Sequence, residues 1–395
     1  MDGRASVGGY AQFLQRHADA LPSSLSYLAG EWPDRVAWAA EARAKMHELL
    51  AYRPEPAPAT AEVLERTQKD GYSRHRVRLH VTRDRTTELF LLIPDGLTAP
   101  APAIVALHDH GGFYYFGKEK ICETEDAPPV LREHVQSAYA GRPFADELAR
   151  RGFVVLAPDA FYFGSQRLDL DQLPACYSDS LQGLTPGSDT YVAKFNEFAG
   201  RHEEIVAKSI FDAGTTWPGV LFHGDRAAVD YLVTRPEVDP ERIGCLGLSI
   251  GGFRSAHLFA LDPRIKAAVV AGWMTTYASL LYDHLDFHTW MIYVPGQLRW
   301  LDLPDVATLN APRPLMVINC LQDILFTLEG MQAAERKIGE IYRRMGAPER
   351  FCCRYDDEPH SFKIPAQEAA LDWLARWLTG VGTQPKRVRR VAKPS

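Results

Sequence analysis

Residues 241–262 read ERIGCLGLSIGGFRSAHLFALD. An apolar run over 243–248 ends in Gly247-Leu248-Ser249-Ile250-Gly251, and a helix-compatible stretch follows at once. G-x-S-x-G between a strand and a helix is the pattern of a nucleophile elbow. A serine on so tight a turn sits in strained backbone geometry with its hydroxyl exposed. Small residues two before and two after it leave room for the strand and helix to cross. The helix that starts there aims free N–H groups at developing negative charge. Ser249 is therefore the candidate nucleophile, and Ile250 N–H a candidate donor to an oxyanion.

Outward from the elbow, short apolar runs alternate with helical stretches. Residues 102–107, 152–158, 243–248, 266–271, 314–319 and 351–355 read as strands, most of them continuously apolar, as expected of strands buried on both faces. Helices are expected over 144–151, 218–234, 251–260, 328–345 and 366–379, and an antiparallel hairpin over 76–82 and 87–93. The alternation predicts an α/β fold, a doubly wound, mainly parallel sheet. Residues 160–216 lack simple periodicity and are too long for an ordinary connection; they read as an insertion over the site, helical near 190–210. Residues 9–52 look helical, with Pro33 and Asp34 as a start signal, and 54–58 as an extended Pro-Ala linker. The division expected is a helical extension over 1–58, a catalytic domain over 59–380 and a basic, solvated tail over 381–395.

The chain has 395 residues, 46% hydrophobic and 24% charged, with a net charge of −6. That balance fits a globular protein and argues against nucleic acid as a partner. No apolar stretch approaches a membrane span, and 1–9 lacks a signal-peptide pattern. The six cysteines are few, four fall in expected core strands, and no C-x-x-C occurs, so a cytoplasmic location is expected. The sequence leaves room for a homo-oligomer.

A serine hydroxyl needs a base, and the base an orienting carboxylate. Where the serine sits on such an elbow, the chain order is Ser, acid, His. Asp323 follows the strand over 314–319, and His360 follows the strand over 351–355. His360 is the only histidine after His288. Asp356 and Asp357 are weaker candidates for the acid. A second oxyanion donor is expected in the loop after 102–107, which reads His108-Asp109-His110-Gly111-Gly112-Phe113-Tyr114-Tyr115-Phe116-Gly117. Either Gly112 or Phe113 would supply it. Tyr114, Tyr115 and Phe116 read equally as pocket wall or loop anchors. His110, Trp273 and His288 are further candidates for substrate contact.

These residues resemble the α/β-hydrolase superfamily, within it the dienelactone-hydrolase-like and acetyl-xylan-esterase-like group. The resemblance covers roughly 60–380. It rests on His108-Asp109-His110-Gly111-Gly112, on Gly247 to Gly252, on Leu261-Asp262-Pro263-Arg264-Ile265-Lys266-Ala267, and on Ala311-Pro312-Arg313-Pro314. It implies Ser249, Asp323 and His360 as a triad, and Ile250 with the His-Gly-Gly loop as oxyanion hole. Dienelactone hydrolases proper carry cysteine where this chain has Ser249, so the resemblance implies ester hydrolysis in the manner of the esterases.

Two histidine pairs, His108/His110 and His284/His288, have spacings compatible with zinc. The plainer reading makes the first pair the oxyanion loop and the second pocket lining, so no metal and no cofactor are expected. No dinucleotide fingerprint or P-loop occurs. The expected activity is cleavage of a small-molecule carboxylic ester through an acyl-enzyme. The alternatives are amide, peptide, lactone or carbon–carbon hydrolysis on the same triad, or a non-catalytic binding role on this fold.

Overall fold

Nine strands pair into one sheet in the computed structural model, which describes residues 5–55, 60–178, 181–281 and 284–380. They are β1 (Ala61–Lys69), β2 (Tyr72–His80), β3 (Thr86–Pro94), β4 (Ala101–Leu107), β5 (Val154–Pro158), β6 (Val238–Leu248), β7 (Ile265–Ala271), β8 (Leu315–Cys320) and β9 (Phe351–Asp356). The spatial order is β1-β2-β3-β5-β4-β6-β7-β8-β9. The first three are antiparallel, and β5 through β9 run parallel with β4 among them. The α/β expectation of a doubly wound, mainly parallel sheet thus holds, with an antiparallel flank of three strands rather than a hairpin of two.

The helices are α1 (Ala11–Asp19), α2 (Arg35–Leu50), α3 (Pro129–Tyr139), α4 (Phe144–Arg150), α5 (Ala175–Ser178) and α6 (Asp189–Asp212) in the first half. The second half carries α7 (Trp217–Leu232), α8 (Ile250–Leu261), α9 (Tyr277–Leu280), α10 (Leu303–Ala307), α11 (Leu328–Arg344) and α12 (Ile364–Thr379). The helical reading of 9–52 is corrected over 20–34, which is turns and irregular chain between α1 and α2. The start signal operates as expected: Asp34 caps α2, its carboxylate accepting from Val36 and Ala37 N–H at 2.7 and 3.1 Å. The basic tail and residues 56–58 of the expected linker lie outside the described residues.

The central strands are largely apolar because each face has its own core. On β4, Ala103, Val105 and Leu107 join one buried cluster with α2, α7, α8 and α11, while Ile104 and Ala106 join the other with α4 and α12. On β7 the same split sends Ala268 and Val270 one way, and Ala267, Val269 and Ala271 the other. Trp38, Met46 and Leu50 of α2 sit in the first cluster, which docks that helix on α7 and α8.

From β4 the chain continues to β5 on one side and later to β6 on the other. That reversal of strand order opens a crevice at the C-terminal end of β4, where open α/β sheets place ligands. The loop after β4 and the elbow after β6 both face this point.

Candidate active site

Ser249 joins β6 directly to α8 with φ 60° and ψ −121°. A side chain rarely adopts that conformation, and holding one there costs about 1–3 kcal/mol. The local packing leaves no relaxed alternative. Ser249 N–H donates to Ala271 carbonyl at 2.9 Å, tying the turn to β7. A Cβ on Gly247 would overlap the backbone of Gly251, and one on Gly251 would overlap the carbonyl of Leu107. The two glycines of the motif are therefore demanded by the close approach of strand and helix. Ile250 N–H opens α8 and makes no hydrogen bond among the described residues.

Ser249 and His360 line one cavity of about 210 Å³ together with His110, Gly111, Gly112 and Ile250. Trp273, Phe287, His288, Thr289, Ile292, Leu325 and Phe326 complete the wall. His360 Nδ1–H donates to Asp323 Oδ2 at 2.6 Å, and Leu325 N–H donates to Asp323 Oδ1 at 2.9 Å. His360 Nε2 is buried without a hydrogen-bond partner among the described residues. Asp356 instead pairs with Arg354, Nε to Oδ1 at 2.8 Å, and Asp357 accepts from Gln322 at 3.1 Å. The structure therefore brings Ser249, His360 and Asp323 together and leaves the weaker acids outside.

His288 Nε2–H donates to the carbonyl of Leu325 at 3.1 Å, which ties the cavity wall to the loop holding Asp323. Burial, with His360 and His284 adding to it, pushes its pKa down to about 4, so His288 is neutral at ordinary pH. Trp273 is buried, packed edge-on against Phe253 and Phe326 at 5.1 and 5.5 Å between ring centres.

The loop after β4 is held from three sides. Lys120, fully buried, donates from Nζ to the carbonyls of Asp109, His110 and Phe113, the last two at 3.2 Å. Burial lowers its pKa to about 8, against the pull of Asp109 and Asp159. Asp109 accepts from Tyr139 hydroxyl at 2.6 Å. Gly111 and Gly112 both have positive φ, 56° and 64°, the conformation glycine tolerates and other residues resist.

The oxyanion expectation at this loop needs revision in detail. Phe113 N–H donates to His110 carbonyl at 3.0 Å, and Phe113 does not line the cavity. Gly112 lines it, but its N–H donates to His110 Nδ1 at 3.0 Å. The N–H groups of His110 and Gly111 make no hydrogen bond among the described residues. Tyr114 and Tyr115, candidates for substrate contact that read equally as loop anchors, do not line the cavity either. They anchor the loop on α6. Tyr114 hydroxyl donates to Glu203 at 2.7 Å, and Tyr115 packs on Phe195 and Tyr191 with its N–H on Asn196.

Glu203 of α6 escaped the sequence reading, because an acidic residue next to Glu204 in a long helix reads as solvated surface. It is buried instead. His108 also departs from a metal reading. It is fully buried, its Nδ1 bonds Asp109 carbonyl, and its Nε2 accepts from Ala160 N–H at 3.1 Å. No cluster of three or more His, Cys, Asp or Glu that could hold a metal occurs among the described residues. No helix among them is long and apolar enough to cross a membrane.

Comparison with known proteins agrees with this fold. The model of the dienelactone hydrolase family matches residues 140–274. A Bacillus subtilis (strain 168) protein described as "Putative hydrolase YtaP" is 25% identical over 341 residues, 86% of this chain and 99% of that protein. Among solved structures, a "putative acetyl xylan esterase" from Bacteroides fragilis NCTC 9343 superposes with TM-score 0.67 at 17% identity, covering 89% of this chain and 84% of that one. A glucuronoyl esterase from Solibacter usitatus gives TM-score 0.58 at 15% identity, covering 91% and 98%. With its sheet topology and its serine elbow after β6, the chain has the α/β-hydrolase fold, and its residues 140–274 match the model of the dienelactone hydrolase family.

Proposed function

We propose that the protein is a serine hydrolase of carboxylic esters. The observation that carries this is the convergence of Ser249, on a strained elbow, with the Asp323-oriented His360 in one cavity. His360 Nε2 takes the proton of Ser249 as its Oγ attacks the ester carbonyl. Asp323 holds the tautomer that leaves Nε2 free and stabilises the imidazolium. The tetrahedral oxyanion accepts from Ile250 N–H and from an N–H of His110 or Gly111. His360 then protonates the departing alcohol, and the acyl group stays on Ser249. A water deprotonated by His360 attacks that acyl-enzyme and releases the acid.

The cavity's aromatic and aliphatic wall suits a small uncharged acyl group. The esterase descriptions of the structural neighbours support an ester as substrate class. The six cysteines are all free thiols, which supports a reducing, cytoplasmic setting. We read residues 1–58 as an extension to the catalytic unit over 59–380, with 160–216 as an insertion that backs the site through Glu203 rather than lining its cavity.

The test is hydrolysis of p-nitrophenyl esters from acetyl to octanoyl by wild type and Ser249→Ala. Turnover by the wild type that Ser249→Ala loses, both proteins being folded, supports the reading. Turnover retained in Ser249→Ala refutes it.

A further inference from the structure

The inference concerns Glu203, a buried carboxylate of α6 with no part in the proton transfers above, and it rests on the ester-hydrolase reading. Four donors converge on it. Oε1 accepts from His110 Nε2 at 2.9 Å and from Tyr114 hydroxyl at 2.7 Å. Oε2 accepts from Thr289 hydroxyl at 2.7 Å and from Trp290 N–H at 3.2 Å. Two of these partners, His110 and Thr289, line the cavity from different segments.

The tautomer of His110 follows from its two neighbours. Gly112 N–H can only donate, so His110 Nδ1 must carry a lone pair. The proton then sits on Nε2 and points at Glu203. The other tautomer would set N–H against N–H at Gly112 and a lone pair against the carboxylate. A carboxylate is acceptor-only, with about four lone-pair sites, and Glu203 uses them on four donors. Burial alone would raise its pKa. The hydrogen bonds donated by His110, Tyr114 and Thr289 outweigh it and keep the group ionised.

We propose that Glu203 is a positioning residue that locks His110 as the Nε2–H tautomer, so that His110 Nδ1 holds Gly112 N–H and fixes the Gly111–Gly112 turn of the oxyanion loop. The relay parallels Asp323 and His360: in each, a buried carboxylate sets a histidine tautomer and leaves the other ring nitrogen with its lone pair. Here the group held is backbone, and the step served is oxyanion binding. The same carboxylate ties the loop to the 289–290 wall, so the insertion that carries α6 acts on the chemistry without lining the cavity.

No neutral isostere replaces Glu203. In Glu203→Gln the amide NH2 must face a group that can only donate, His110 Nε2–H on one side or Trp290 N–H on the other, even where the Tyr114 or Thr289 hydroxyl turns to accept. The experiment compares wild type, Glu203→Gln and the double variant Tyr114→Phe/Thr289→Val in steady-state hydrolysis of p-nitrophenyl acetate. It also records the His110 ring by long-range proton–nitrogen correlation. Wild type is expected to show Nε2–H. Glu203→Gln is expected to lose about 10- to 100-fold in kcat with KM little changed, and to shift the His110 ring signals. The double variant, which spares the His110–Glu203 bond, is expected to keep the tautomer and lose less kcat. Wild-type kcat and unshifted ring signals in Glu203→Gln would overturn the proposal. So would Nδ1–H in the folded wild type, a result that stands even if the variant does not fold. Failure of the ester-hydrolase reading is separate, since it shows as a wild type without Ser249-dependent turnover.

Discussion

His360 Nδ1 lies 2.6 Å from Asp323 Oδ2, while Leu325 N–H holds the other oxygen of the same carboxylate at 2.9 Å. Both oxygens are committed, so the carboxylate can neither rotate nor leave the imidazole. Asp323→Asn would present an NH2 to one of these donors and favour the wrong histidine tautomer. We expect kcat to fall by about three to four orders of magnitude with the fold retained. Steady-state hydrolysis with circular dichroism checks this. A variant within tenfold of wild type would remove Asp323 from the mechanism.

Lys120 is the single side chain that gathers three carbonyls of the oxyanion loop. Lys120→Met preserves length and removes every donor. The Asp109 and His110 carbonyls keep their bonds from His108 Nδ1–H and Phe113 N–H, so the stranded one is that of Phe113, at about 1–3 kcal/mol if it stays dry. Thermal unfolding should show a clear loss of stability, and kcat should fall more than KM changes. A stable variant with normal kcat would mean that the glycine turn holds itself.

His257 gives a pH signature. It is fully buried in α8, donates from Nδ1 to Phe253 carbonyl at 3.0 Å, and burial depresses its pKa from 6.5 to about 4. Between those values the unfolded chain binds a proton that the folded chain refuses. Stability is therefore lost as pH falls through this window, by about 3 kcal/mol from this group. Urea unfolding at pH 7 and pH 4 should show that drop reduced by a similar amount in His257→Leu. An equal drop in both proteins would contradict it.

The elbow should be intolerant of one methyl group. In Gly251→Ala the new Cβ overlaps Leu107 carbonyl and approaches that of His108, the last residue of β4 and the first of the oxyanion loop. Backbone must shift, at a cost of about 1–3 kcal/mol. Activity should fall further than stability, because the shift separates Ile250 N–H from the loop. Chemical unfolding and an ester assay measure the two effects. Unchanged values for both would mean that strand and helix do not cross this closely.

The elbow was legible because its glycine spacing reports a backbone crossing that only glycine allows. Buried strands such as β4 and β7 were legible because two cores make them apolar on both faces. Strand β1 was not, since Ala61–Lys69 is an edge strand almost wholly exposed, and AEVLERTQK carries no alternation for burial to impose. The candidate acid and base, Asp323 and His360, follow from chain order, because each sits just beyond a strand. Glu203 does not, because its burial comes from the loop and wall that fold over α6 from distant sequence. Tyr114 and Tyr115 show the same limit: aromatic residues beside a site look alike whether they face the cavity or, as here, the helix behind it.

The central claim is that Ser249 is the nucleophile. The most direct test treats the folded wild type with a fluorophosphonate and maps the adduct by peptide mass spectrometry, with His360→Ala alongside. A stoichiometric phosphonyl adduct is expected on Ser249, formed far more slowly in His360→Ala. No adduct on the folded wild type, or an adduct on another residue, would contradict it.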